Sequence, residues 1–159
     1  MENRFPGGSW PVMLTPFTED NKIDYDGLKE LVDWYIKNGV SGMFAVCQSS
    51  EMFYLSLEER VKYAAKTVEF AAGRVPVIAS GHVSDKIEDQ ITELNEIAKT
   101  GVDAVILITN RLAKEDEDDS VWIENRMFRL VFMSVRIRTR DCLHRKLFPG
   151  VHLQEDFIS

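Results

Sequence analysis

Cysteine is scarce in this sequence, with two residues in 159. That excludes a disulfide-framed secreted fold, and the pair has no metal-ribbon spacing, so a reducing compartment is expected. There are 9 Gly and 5 Pro, too few for a collagenous or low-complexity chain. No run of about 18 apolar residues occurs, so no membrane-spanning helix is expected. The first ten residues, MENRFPGGSW, lack the apolar centre of a signal peptide; a cytoplasmic address is the remaining expectation. Positive charge is short as well: 19 Lys plus Arg face 26 Asp plus Glu, a net of −7. Such a chain has no general attraction to nucleic acid. What it does have is 45% apolar residues, ample for one globular core.

The charge is unevenly spread. Residues 1–125 carry 12 basic and 23 acidic side chains, whereas residues 126–159 carry 7 basic and 3 acidic. Arginine use changes at the same point, from four Arg beside eight Lys to six Arg beside one Lys. The chain therefore divides into an acidic part, 1–125, and a basic tail, 126–159.

The first part alternates strand-like and helix-like patterns. Trp10 to Thr15 is a short apolar run closed by Pro16. From Asp24, a capping residue, Leu28, Leu31, Val32, Tyr35 and Ile36 recur at helical spacing up to Asn38-Gly39. Gly42 to Cys47 is a second apolar run. Ser56-Leu57-Glu58-Glu59 forms a capping box, opening a helix that carries Val61, Ala64, Ala65 and Val68 inward and stops at Gly73. Val75 to Ala79 is a third strand. Ser84 is the expected cap of a third helix, with Ile87, Ile91, Leu94 and Ala98 on its stripe and Gly101 at its end. Asp103 to Thr109 is a fourth strand, and the acidic run Glu115 to Asp119 suits the start of a further helix.

Strand starts near 10, 42, 75 and 103 repeat at about 30 residues, the size of a βα unit. Continuous apolar strands imply a parallel sheet covered on its faces. Either a doubly wound sheet or a (β/α)8 barrel makes such a sheet. The first strand is not followed by G-x-G-x-x-G, which weighs against a dinucleotide fold. A barrel needs about 250 residues. The chain thus reads as α/β, a partial (β/α)8 TIM barrel of about the first four βα units, with an aberrant C-terminal tail.

Ligands of parallel α/β proteins meet the C-terminal ends of the strands. Among those ends Cys47-Gln48-Ser49-Ser50-Glu51 is the richest in polar groups. Successive N–H groups of Gln48, Ser49 and Ser50, with two hydroxyls, suit a small carboxylate. The alternative is a polar loop whose Ser and Glu satisfy only local backbone groups. Cys47 reads as a small buried hydrophobe rather than a nucleophile, and His82 as a loop histidine rather than a base. Trp10, Trp34 and Trp122 read as packing residues. Glu115 to Asp119 lacks the spacing and Gly of a calcium loop, so no metal site is expected.

At these strand ends the chain resembles the family of dihydrodipicolinate synthase and N-acetylneuraminate lyase, the pyruvate-handling class I aldolases. Over residues 8–125 the resemblance rests on several pieces in order: Pro11-Val12, Thr15-Pro16-Phe17, Ile23-Asp24 and Gly39. Ser50-Glu51, Leu55-Ser56-Leu57-Glu58-Glu59-Arg60, Pro76-Val77-Ile78-Ala79 and Gly101-Val102-Asp103-Ala104 complete it. It implies a barrel whose sixth-strand lysine forms a Schiff base with pyruvate or a similar 2-oxo acid, without a cofactor. It also implies a proton-relay tyrosine on the fifth strand and a carboxylate-holding loop at Gln48, Ser49 and Ser50, with Thr15 and Glu51 supporting the barrel mouth. The partners implied are a small 2-oxo acid and, for the full-length relative, further copies of itself. Two positions depart from the family pattern. Gln48 replaces a relay hydroxyl, and an amide cannot pass a proton as a hydroxyl does. Asn110-Arg111-Leu112 replaces the usual Pro-Tyr-Tyr. A divergent aldolase or lyase is therefore expected rather than the synthase proper.

After Asn125 the resemblance stops. The tail alternates, with Arg136, Arg138 and Arg140 on one side, but it lacks the aromatic platform of a nucleic-acid ribbon. The family's fifth strand carries a stretch like GVYECPYPYKRLLT. Codons for that peptide, read one base later, spell all 14 residues from Val131 to His144. A frameshifted, poorly packed tail is thus expected. Met133 then fills the slot of the relay tyrosine, and the Schiff-base lysine is absent, so this chain alone is expected to be inactive. The alternative is a genuine short protein, a non-catalytic half-barrel used for binding or oligomerisation.

Overall fold

The computed structural model describes residues 5–108. The tail, Met133, Trp122, Asn110-Arg111-Leu112 and the acidic run at 115–119 lie outside the described residues. Three helices and three short strands alternate: α1 (Tyr25–Lys37), β1 (Met43–Phe44), α2 (Leu57–Ala71), β2 (Val77–Ala79), α3 (Ile87–Lys99) and β3 (Ala104–Val105).

Local chemistry sets most of the helix ends. Asp24 accepts from the N–H groups of Asp26 and Gly27, each at 3.0 Å, and so starts α1. Gly39, at φ 78°, provides the left-handed residue that ends it. Ser56 and Glu59 form the expected box: Ser56 N–H donates to Glu59 Oε2 at 2.8 Å, and Glu59 N–H to Ser56 Oγ at 3.2 Å. The third helix departs from expectation. Its cap is Lys86, which makes no side-chain capping bond, because the Ser84 hydroxyl is spent on Glu93 at 2.9 Å.

The strands pair in parallel, in the order β1-β2-β3. The segment expected as the first strand joins the same sheet through one parallel bridge, Val12 to Phe44. Phe44 N–H donates to Pro11 O, and Met13 N–H to Phe44 O. Each strand therefore neighbours the next in sequence, with α1 packed on α2 and α2 on α3. A doubly wound sheet reverses its strand order, whereas a barrel wall does not. The sequential order identifies a segment of barrel wall.

Register assigns the two faces. Val12, Phe44, Ile78 and Ala104 lie in one row across the sheet. Their neighbours Met13, Met43, Val77, Ala79 and Val105 point the other way and are buried in one core with Leu28, Val32, Ala64, Leu94 and Ile97. The opposite row is more open: Val12 is 46% exposed and Leu14 60%. The expectation of a sheet covered on both faces is thus met on the helix side only among the described residues. In a closed barrel the open face becomes the packed interior.

Two side-chain assignments also shift. The buried stripe of α2 is Arg60, Tyr63, Ala64, Thr67 and Ala71, rotated from the apolar stripe, so Val61, Ala65 and Val68 are only half-buried. The rotation lets Arg60 and Tyr63 reach backbone groups on other elements (Tyr63 Oη donates to Leu14 O at 2.8 Å). Trp34 is not a packing residue of the core. It is 57% exposed and stacks edge-on against Tyr35. Trp10 does pack, and a Cβ at Gly42 would run into its ring.

Candidate functional site

The loop after β1 leaves the C-terminal end of the sheet and turns tightly. Gln48–Ser50 forms one turn of 3-10 helix, and Glu51 closes it at φ 59°. A non-glycine residue in that left-handed region is uncommon, and such backbone gathers at ligand-holding sites. Thr15, at the end of the first segment, donates from Oγ1 to Ser50 O at 2.7 Å. Thr15 thereby joins the loop to the neighbouring strand end.

The three adjacent polar residues divide their tasks. Ser50 is fully buried. Its hydroxyl accepts from Cys47 N–H at 2.6 Å and lies within donating distance of Cys47 O (2.8 Å) and Ala45 O (2.9 Å). Its own N–H donates to Cys47 O, and Glu51 N–H to Gln48 O. Ser50 therefore spends its polar groups on its own loop and on Thr15. Gln48 and Ser49 face solvent. Their N–H groups are engaged by no bond among the described residues. Cys47 is a free, buried cysteine at the root of the loop. It behaves as a small core residue, with its sulfur 3.6 Å from the Ser50 hydroxyl.

Beneath the loop lies a buried ion pair that neither composition nor spacing disclosed. Arg60 Nη2 donates to Glu93 Oε1 at 2.7 Å, with both side chains almost wholly enclosed. Arg60 Nη1 also donates to Leu55 O at 2.6 Å. Burial pushes the Arg60 guanidinium down from its ordinary range, and the facing Glu93 carboxylate pulls it back up. A charged residue on the capping-box helix and another in the middle of α3 gave no local signal, because their partners lie on different elements.

The loop after β2 holds His82, also fully buried. Ile108 N–H donates to its Nε2 at 2.8 Å, and its Nδ1 lies 2.9 Å from Gln90 Oε1. An accepting Nε2 places the proton on Nδ1. His82 thus ties α3 and the segment after β3 to the loop. Among the described residues, no group of three or more His, Cys, Asp or Glu is placed to hold a metal ion, and no helix is long and apolar enough to cross a membrane.

A singly wound parallel sheet with its polar loop at the strand C-termini defines this molecule as part of a (β/α)8 barrel. The model of the dihydrodipicolinate synthetase family matches residues 6–119, and the chain belongs to that family. It is 40% identical over 111 residues to the 4-hydroxy-tetrahydrodipicolinate synthase of Methanococcus maripaludis, covering 70% of this chain and 38% of that enzyme. Among solved structures it is similar to N-acetylneuraminate lyase from Mycoplasma synoviae (32% identity, TM-score 0.55, covering 60% of this chain and 33% of that one). A dihydrodipicolinate synthase from Acinetobacter baumannii, solved in complex with pyruvate, is 28% identical with a TM-score of 0.56, covering 59% and 32% of the two chains. The chain thus spans about two fifths of the curated relative's length.

Proposed function

We propose that the loop Gln48–Glu51 holds the carboxylate of pyruvate or a related 2-oxo acid, as one part of a Schiff-base aldolase or lyase barrel. The observation that carries this reading is the pair of N–H groups at Gln48 and Ser49 that make no bond among the described residues, at the end of the sheet where barrel ligands bind. Adjacent backbone N–H groups on a turn make an anion-binding concavity. Membership of the family supports the substrate class, as does the pyruvate bound by the Acinetobacter relative. Ser50 serves the site by holding the turn, and Thr15 by fixing the turn to the next strand end.

In the proposed chemistry a lysine amine condenses with the 2-oxo carbonyl and expels water. The protonated imine then accepts the electron pair of the bond between its α and β carbons as that bond breaks, becoming an enamine. In the other direction the imine first loses a proton from the α carbon, and the resulting enamine supplies the pair as the bond forms. That lysine belongs to the sixth strand of the barrel, and Met133 takes the place of the relay tyrosine. The 159-residue chain by itself is accordingly proposed to bind the acid without turning it over. Gln48 in place of a relay hydroxyl directs the reading toward a divergent aldolase or lyase. We assign the basic tail to a reading-frame shift.

Titration of the 15N-labelled chain with pyruvate tests the first part, with shifts expected at the Gln48 and Ser49 amides; unmoved amides refute it. Borohydride added with pyruvate should leave the chain unlabelled, and a covalent adduct overturns its inactivity. Sequencing the coding DNA in three frames should reveal a Tyr-Glu-Cys-Pro strand in an alternative frame. Its absence ends the frameshift reading. A second reading, a non-catalytic half-barrel that binds or self-associates, draws on the exposed Val12 and Leu14. Sedimentation of Leu14→Lys beside the native chain separates the two, since only this reading predicts that the charge dissolves an oligomer.

A further inference from the structure

Arg60 lies near the start of α2 and Glu93 in the middle of α3, 33 positions apart, yet the two side chains share one enclosed site. Isolated from water, such a pair carries a desolvation penalty, and apolar replacement of both partners is often neutral or stabilising. Stability alone therefore does not explain its presence. The geometry of its remaining bonds does. Arg60 Nη1 grips two carbonyls of the loop after β1, Leu55 O at 2.6 Å and Met52 O at 3.5 Å. Glu93 grips the loop after β2: its Oε2 accepts from Val83 N–H at 2.8 Å and Ser84 N–H at 3.1 Å, and its Oε1 from the Ser84 hydroxyl at 2.9 Å. Among the described residues the buried Arg60 Nε has no partner, so the guanidinium holds these contacts with its two terminal nitrogens. Met52 follows Glu51 directly, and Met52 N–H returns to Cys47 O. The grip on Met52 and Leu55 therefore acts on the same hydrogen-bonded loop that presents Gln48 and Ser49.

We infer that Arg60 and Glu93 are positioning residues whose ion pair locks the two mouth loops into one unit and so fixes the anion-facing amides. The inference rests on the carboxylate reading of the Gln48–Glu51 loop. No hydrophobic pair can do this work, because apolar side chains neither donate to the carbonyls on one side nor accept from the amides on the other.

The test compares the native chain with Arg60→Met/Glu93→Leu and with Glu93→Gln, each titrated with pyruvate and followed by amide hydrogen exchange. The double variant orphans the Leu55 carbonyl and the Val83 and Ser84 amides, so it should melt below the native temperature. It should also bind pyruvate about tenfold more weakly, as happens when residues supporting a site are lost. A purely structural pair would move the melting point and leave affinity unchanged, so native affinity in a folded double variant overturns the proposal. Glu93→Gln keeps shape and size should the double variant fail to fold. Although the change is made at the β2 loop contact, exchange at the Ser50 and Glu51 amides across the pair should quicken by about tenfold. Unchanged exchange there overturns the lock. If the native chain shows no pyruvate shifts, the carboxylate reading alone fails, and the exchange result still decides the lock.

Discussion

Two loops leave the same end of the sheet one strand apart, and they treat their polar groups in opposite ways. In the loop after β2, His82 serves Gln90 and Ile108, the Val83 and Ser84 N–H groups serve Glu93, and the Ser80 hydroxyl, which makes no bond among the described residues, is buried. The loop after β1 spends those of Ser50, whereas Gln48 and Ser49 are exposed and their N–H groups make no bond among the described residues. Both loops are fixed by buried polar contacts, so the difference is not one of order. A site for an anion needs a rigid frame together with donors that the frame does not use. Of these two loops, the β1 loop has both on exposed residues, Gln48 and Ser49.

The largest expected effect comes from cutting the link between the loops on one side only. Arg60→Met leaves Glu93 enclosed without its partner and should cost about 3–5 kcal/mol. Urea denaturation measures this, and a loss below about 1 kcal/mol would mean that the carboxylate finds another route to water. Next, the two serines of the β1 loop should separate. Ser50→Ala orphans the Cys47 N–H in a buried position and should cost about 1–3 kcal/mol. Ser49→Ala, at the solvent face, should stay within about 0.5 kcal/mol of native. Equal losses in thermal melts of the two variants would erase the division between frame and face.

The smallest effect concerns the capping box just past the β1 loop. The Ser56 N–H and hydroxyl both donate to the Glu59 carboxylate and hold it below its ordinary 4.5. The folded value is the lower one, so the carboxylate binds its proton more weakly folded than unfolded. Its contribution is therefore full above about pH 4.5 and fades as pH falls through the depressed folded value. Glu59→Gln should flatten the stability profile in that acid window and leave the neutral region nearly parallel to native. Denaturation midpoints taken from pH 3 to pH 7 would expose a shared slope, which would remove Glu59 from the account.

The same contrast explains what could be read without coordinates. The Asp24 cap, the Ser56–Glu59 box and the Gly39 stop join residues two to four positions apart, and they stand in the structure where the sequence puts them. The Ser84 cap failed for the reason that hides Arg60. Each hydroxyl or charge has several possible partners, and packing α2 against α3 brought one from far along the chain. The Trp34 assignment failed because helical spacing does not report where a helix's wet side begins.

By itself, then, the sequence determined the helices, the local caps of the first two, the 30-residue βα period and the family to which the chain belongs. Those depend on short-range spacing and on motifs that survive in linear order. Tertiary structure alone decided that Ser50 turns inward while Gln48 and Ser49 face out, that His82 meets Gln90 and Ile108, and that Arg60 meets Glu93. Each of these is a contest between hydrogen-bond partners, settled by which groups the fold buries together.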